Sequence, residues 1–111
     1  MRREREPEAM SLLGLARRAG AVEPGIDRTR NAVRSGRARL VVLAADGAPG
    51  QRTKVEALVR HTSVPVVVMG PGSELGAAVG TSALSALAVT DASFADAIRA
   101  STTTDGTHAS I

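Results

Sequence analysis

Cysteine, tryptophan and tyrosine are absent from the 111 residues, and phenylalanine occurs once. Without cysteine there is no disulfide, no thiolate nucleophile and no cysteine-ligated zinc. The same absence fits a reducing compartment. A single aromatic ring, at a position whose spacing predicts burial, leaves no base-stacking platform. Long apolar runs are missing too: the longest, residues 40–45 and 64–69, each reach about a third of a membrane span. The N-terminal segment MRREREPEAM is basic but has no apolar stretch behind it, so a signal peptide is not expected. These absences predict a soluble, cytoplasmic chain with no membrane partner. Catalytic groups are equally scarce. Neither His61 nor His108 has a carboxylate or second histidine at metal-ligand spacing, and no serine sits in a Gly-x-Ser-x-Gly elbow. The expectation is therefore no metal, no cofactor and no enzyme chemistry.

The residues that are present suit one small domain: 43% are hydrophobic and 23% charged, enough for a core and too few residues for two. The net charge of +3 is unevenly placed. Residues 1–16 carry three Arg and three Glu. Residues 17–60 carry ten Lys/Arg against four Asp/Glu, a balance of +6, and residues 61–111 carry Arg99 against four acids, a balance of −3. Basic charge confined to one stretch of chain is what a polyanion-facing surface requires.

Helix and strand patterns alternate. Apolar residues at helical spacing (Leu12, Leu13, Ala16) predict a first helix over 7–18, ended by Gly20. A very short strand follows at 21–23, and Pro24–Gly25 turns the chain into a second helix over 27–35, closed by Gly36. Continuous apolar runs predict buried strands at 40–44, 64–69 and 84–89. Helices are expected at 49–61, with Val55, Leu58 and Val59 inward, and at 73–79, stopped by Gly80. A last helix is expected at 91–100, N-capped by Asp91 and buried through Phe94 and Ile98. The fold class is α/β, a three-layer α/β/α sandwich with about four strands. Around the domain at 7–100, residues 1–6 read as a flexible head and the polar, aperiodic residues 101–111 as a disordered tail.

One loop, GPGSELG at 70–76, invites a dinucleotide-binding reading because it follows a strand and opens a helix. The third glycine comes one position too late, Pro71 removes an N–H, and about 35 residues downstream are too few for the rest of such a domain. A tight strand-to-helix turn is the expectation. The second helix is more informative. Ile26, Thr29 and Val33 share one face, whereas Asp27, Asn31 and Arg34 line the opposite one, with Arg28 and Ser35 beside them. Arginine and asparagine address phosphates and base edges bidentately. Gly25 lets a nucleic-acid backbone approach the positive end of the helix.

The pieces LLGLARRAG at 12–20, Gly25 opening a helix closed by Ser35-Gly36, and ARLVVLAAD at 38–46 resemble bacterial members of the ribosomal protein L7Ae/L30e family. Val64-Pro65-Val66, ELGxAxG at 74–80 and AVTD at 88–91 agree in order and spacing, and the match covers roughly residues 10–99. The resemblance implies an L30e-like α/β/α sandwich that binds kink-turns, the sharply bent internal loops of RNA, ribosomal RNA among them. In the family's Gly-x-Asn-Glu-x-x-Lys signature Gly25 matches, whereas Asp27 stands for the Asn, Arg28 for the Glu and Asn31 for the Lys. Arg30 and Arg34 supply nearby cations. The family's other contact, the loop after the helix ending in Gly80, is here Thr81, Ser82 and Ala83. With no residue placed to serve as nucleophile or general base, the expectation is a monomeric, non-enzymatic RNA-binding protein. Two other readings share the fold: a protein–protein adaptor, and the substrate-recognition domain of an RNA 2′-O-methyltransferase without its catalytic domain.

Overall fold

The computed structural model describes residues 6–109, with side chains described as far as Thr102. Nine elements follow one another among these residues: α1 (Glu6–Arg18), β1 (Val22–Pro24), α2 (Ile26–Arg34), β2 (Leu40–Ala44), α3 (Pro49–Val59), β3 (Val66–Met69), α4 (Gly72–Val79), β4 (Ala86–Val89) and α5 (Ala92–Ala109). The strands form one sheet in the order β1-β4-β2-β3. β4 is antiparallel to both β1 and β2, and β2 is parallel to β3. Hence β1, β2 and β3 run in one direction and β4 runs back between them.

Alternate residues of each strand face opposite ways, so two cores form. On one face Leu40, Val42, Ala44, Val67, Met69, Leu87 and Val89 pack against Ala9, Leu13 and Ala16 of α1, Leu75 and Val79 of α4, and Ala95 and Ile98 of α5. On the other face Val41, Leu43, Ala86 and Ala88 meet Ala32 and Val33 of α2 and Val55 and Val59 of α3. The expected α/β/α sandwich is therefore present, with three helices over one face and two over the other.

β2 and β4 are buried along their whole length because both faces are covered. That is why the continuous apolar run at 40–44 marks β2 without error. β3 starts at Val66 rather than at residue 64. The carbonyl of Pro65 accepts from the Val41 N–H at 3.0 Å, but proline has no N–H of its own to continue the ladder. Likewise β4 begins at Ala86, after a stretch of loop held by α4.

α5 departs most from expectation. It begins as expected, with the Asp91 carboxylate accepting from the Phe94 N–H at 3.0 Å, but it continues past Ala100 to Ala109. The first two residues of the supposed tail, Ser101 and Thr102, are helical and buried. Their hydroxyls donate to the Ala97 and Arg99 carbonyls at 3.1 Å each, so a polar sequence is accommodated in the helix without outside partners. Of the expected flexible head, Glu6 opens α1 and residues 1–5 lie outside the described residues, as do residues 110 and 111 of the tail.

Candidate nucleic-acid interface

Because β1, β2 and β3 are mutually parallel, the helices that follow them all begin at the same end of the sheet. The N-termini of α2, α3 and α4 therefore lie together, beside the start of β4. In open α/β sheets this end, outside the carboxyl ends of the strands, is where ligands bind. Each helix N-terminus presents N–H groups that no carbonyl of its own helix can reach.

The three termini are not equivalent. At α4 the Gly72 N–H donates to the Asp46 carboxylate at 2.9 Å, so a side chain from the β2–α3 loop already occupies it. At α2 the N-cap is Gly25, which has no side chain to offer. Its φ of 100° and ψ of 161° fall in a region open essentially to glycine alone. Two contacts hold it there. The Gly25 N–H extends the β1–β4 ladder to the Ala86 carbonyl at 2.9 Å. Its own carbonyl accepts from both the N–H and the Oγ1 of fully buried Thr29, at 2.9 and 2.7 Å. The chain thus leaves the sheet and enters α2 with its first amides pointing outward. A Cβ added at Gly25 would meet nothing within 4 Å, so backbone conformation and not crowding favours glycine here.

α2 turns its buried side, Thr29, Ala32 and Val33, to the sheet and its Asp27, Asn31 and Arg34 ridge to solvent, as helical spacing requires. Arg30 is half-buried on the flank toward α3, and Arg28 is exposed on the flank toward β1. Among the described residues neither Arg30 nor Arg34 is paired with a carboxylate. Arg28 is paired: its Nη1 lies 3.6 Å from Oε1 of Glu23, whose Oε2 accepts from Arg37 Nη1 at 3.0 Å. Sequence reasoning missed both Glu23 and Arg37. The available signal was the alternation of β1, which turns its one charged residue toward α2.

The loop of Thr81, Ser82 and Ala83 is brought to the same end by α4. The Thr81 N–H donates to the Gly76 carbonyl at 2.8 Å and the Leu84 N–H to the Gly72 carbonyl at 3.1 Å. The loop therefore runs back along α4 toward that helix's N-terminus. Gly72 and Gly76 are glycines because the loop backbone lies on them: a Cβ would strike the Leu84 carbonyl oxygen at the first and the Ser82 carbonyl oxygen at the second. The GPGSELG segment is thus packed by protein main chain, consistent with a structural turn. Arg17 of α1 donates its Nε–H to the Val79 carbonyl at 3.1 Å, which fixes the helix end from which the loop departs. Ser82 and Ala83 are exposed, and the Thr81 hydroxyl donates to the Ser82 carbonyl at 2.8 Å.

Gly25, the start of the α2 ridge and the 81–83 loop thus lie toward one end of the molecule, and the ridge runs from there to Arg34 at the far end of α2. A cleft of about 300 Å³ between Val33, Gly36, Ala38, Arg39 and residues 62–65 lies at the opposite end, and neither Gly25 nor residues 81–83 border it. Basic charge is concentrated on one layer: α2, α3 and their flanking segments hold the eight basic residues between 28 and 60, whereas α4 holds none and α1 ends in Arg17 and Arg18. Among the described residues no group of histidine or carboxylate side chains is arranged to hold a metal ion.

The class defined by this architecture is a three-layer α/β/α domain with an uncapped, glycine-led helix N-terminus beside an exposed loop. The family model for ribosomal protein L7Ae/L30e/S12e/Gadd45 matches residues 8–99, and the chain belongs to this family. It is 36% identical over 89 residues to the RNA-binding protein YlxQ of Bacillus subtilis, covering 80% of this chain and 89% of that protein. Among solved structures, a Bacillus halodurans protein of unknown function superposes with a TM-score of 0.80 at 32% identity, over 84% of this chain and 94% of that one. A Giardia lamblia 15.5 kD RNA-binding protein shares the fold with a TM-score of 0.75 at 20% identity, over 94% of this chain and 89% of that one.

Proposed function

We propose that the protein binds structured RNA of the kink-turn type, ribosomal RNA among the candidates, and performs no chemistry on it. In this reading it acts as a cytoplasmic monomer. RNA would dock along the exposed side of α2, from the free amides behind Gly25 through the side chains of Asp27, Arg28, Arg30 and Asn31 to Arg34 in the last turn. The loop of Thr81, Ser82 and Ala83 would lie against the same RNA. The observation that carries the reading is Gly25: a glycine-only conformation with no side chain leaves α2 without a side-chain cap at the end toward which the 81–83 loop runs. Free amides at a positive helix end favour phosphate oxygens. The basic layer formed by α2 and α3 supplies the sequence-independent attraction, and the likeness to proteins named as RNA-binding supports the choice of polyanion.

Fluorescence anisotropy with a labelled kink-turn RNA tests this, set against the same RNA with its sheared G·A pairs replaced by Watson–Crick pairs. The bent RNA should bind more tightly. If about four phosphates are contacted, log K should fall with log salt at a slope near −3. Asp27→Asn should tighten binding several-fold, because it removes a charge beside the RNA backbone and restores amide donors. Asp27 sits in the first turn rather than at the cap, so the cost in stability should stay near 0.5 kcal/mol, from the lost charge–dipole attraction. Equal affinity for the two RNAs would refute the kink-turn reading, and a flat salt response would refute RNA binding through this surface.

A further inference from the structure

Glu23 lies at the edge of the basic layer and is paired with two of its arginines. β1 is an edge strand, and Glu23 is in register with Ala88, whose side chain belongs to the core beneath α2 and α3. Glu23 therefore projects on the α2 side, at the rim of the sheet. Its two carboxylate oxygens are divided between two arginines that are far apart in sequence. Oε1 faces Arg28 of the first turn of α2 at 3.6 Å, and Oε2 accepts from Arg37, beyond the end of α2, at 3.0 Å. Arg37 is fixed a second time, its Nε–H donating to Ser35 Oγ at 3.0 Å, and that hydroxyl in turn donates to the Ala32 carbonyl at 3.3 Å.

Stability does not explain this arrangement. The side chains are 65% and 49% exposed at Arg28 and Arg37 and 27% exposed at Glu23, and ion pairs so open to water contribute little to folding. Orientation does explain it. A guanidinium has five N–H donors. Arg37 uses two of its donors inside the protein, and Arg28 lies beside Glu23 as an ion pair at 3.6 Å, so most donors of both guanidiniums remain available to a ligand. The triad keeps a net positive charge. Arginines already held in one rotamer lose less conformational freedom when they grip a phosphate bidentately.

We infer that Arg28 and Arg37, bridged by Glu23, form a second anchoring point for an RNA sugar–phosphate backbone on the outer flank of β1, with Glu23 as the residue that positions them. This rests on the RNA binding proposed above and extends its footprint from the N-terminus of α2 along the β1 edge to Arg37. Arg37 is then a contact residue, whereas Glu23 is a positioning residue whose own charge opposes the ligand.

That opposition makes the test one of sign. A carboxylate that is merely near RNA repels it, so its neutralisation tightens binding. A carboxylate that positions two arginines loosens binding when neutralised. Anisotropy titrations of the kink-turn RNA at two salt concentrations, on wild type, E23Q, E56Q and R37A, separate the cases. Glu56 pairs with Arg52 on α3 of the same layer and reports the general effect of losing one negative charge. E56Q should leave affinity unchanged or slightly higher. E23Q should weaken it about 3–10-fold, and R37A should weaken it about 10-fold or more while lowering the salt slope by about 1. Circular dichroism should show all three variants folded. Binding by E23Q that rises as in E56Q would overturn the positioning role, and wild-type affinity in R37A would overturn the anchoring point. Either result leaves the α2 site standing as long as wild type binds the RNA. Failure of wild type to bind would overturn both readings together.

Discussion

Replacing Gly76 by alanine sets two effects of opposite sign against each other. In the interior of an exposed helix, glycine to alanine gains about 0.5–1 kcal/mol, because alanine has less backbone freedom to lose. Gly76 is the fifth residue of α4, so this gain is available to its backbone. A Cβ at that position, however, strikes the Ser82 carbonyl oxygen and comes within 2.9 Å of the Thr81 carbonyl oxygen. Both obstacles are main chain and cannot rotate away, so the 81–84 loop has to retreat by roughly 1 Å to regain van der Waals separation. Overpacking of this kind costs about 1–3 kcal/mol. The retreat also stretches the 2.8 Å bond from the Thr81 N–H to the Gly76 carbonyl, worth about 1 kcal/mol. The collision outweighs the propensity gain, for a net loss of roughly 1–3 kcal/mol. Urea denaturation followed by circular dichroism should show the midpoint falling by about 1 M with the slope unchanged. RNA affinity should fall with it, since the displaced loop is the one placed at the proposed interface. A midpoint that stays the same or rises would refute the account of why position 76 is glycine.

Two further substitutions bear on the entry to α2. Gly25→Ala meets no steric obstacle but forces a φ of 100° on an L-residue, so it should cost about 1–3 kcal/mol by urea denaturation and weaken RNA binding beyond what partial unfolding explains. Wild-type stability would mean that the backbone relaxes freely there. Thr29→Val keeps the shape of a fully buried side chain but removes the hydroxyl that donates to the Gly25 carbonyl at 2.7 Å. A loss of about 1 kcal/mol is expected from thermal or urea unfolding, and no loss would show that the bond to the Thr29 N–H suffices to hold Gly25.

Legibility from sequence followed the locality of the cause. β2 could be bounded to the residue, since a strand covered on both faces leaves an unbroken apolar run. The exposed ridge of α2 was legible because Ile26, Thr29 and Val33 fix the buried face of that helix. The extension of α5 was not, because Ser101 and Thr102 satisfy their hydroxyls on their own helix and so can be buried without looking apolar. The meaning of Gly72 and Gly76 was hidden for a different reason: the carbonyls that exclude a side chain there belong to Leu84 and Ser82, on a separate loop. Glu23 and Arg37, fourteen positions apart, share no periodicity, and only the pairing of β1 at the sheet edge brings them together.

The conformation of Gly25 also bears on how such a surface can change over time. Donors made of main-chain amides belong to no particular side chain, so they persist when neighbouring residues are exchanged. Asp27, Arg28 and Asn31 can each differ from a related protein without altering where α2 begins or which way its first N–H groups point. The residue that cannot be exchanged cheaply is the one with no side chain at all. Within this fold, then, the side chains that surround the helix entry, the Glu23–Arg28 pair among them, can change while the entry itself stays fixed by backbone geometry.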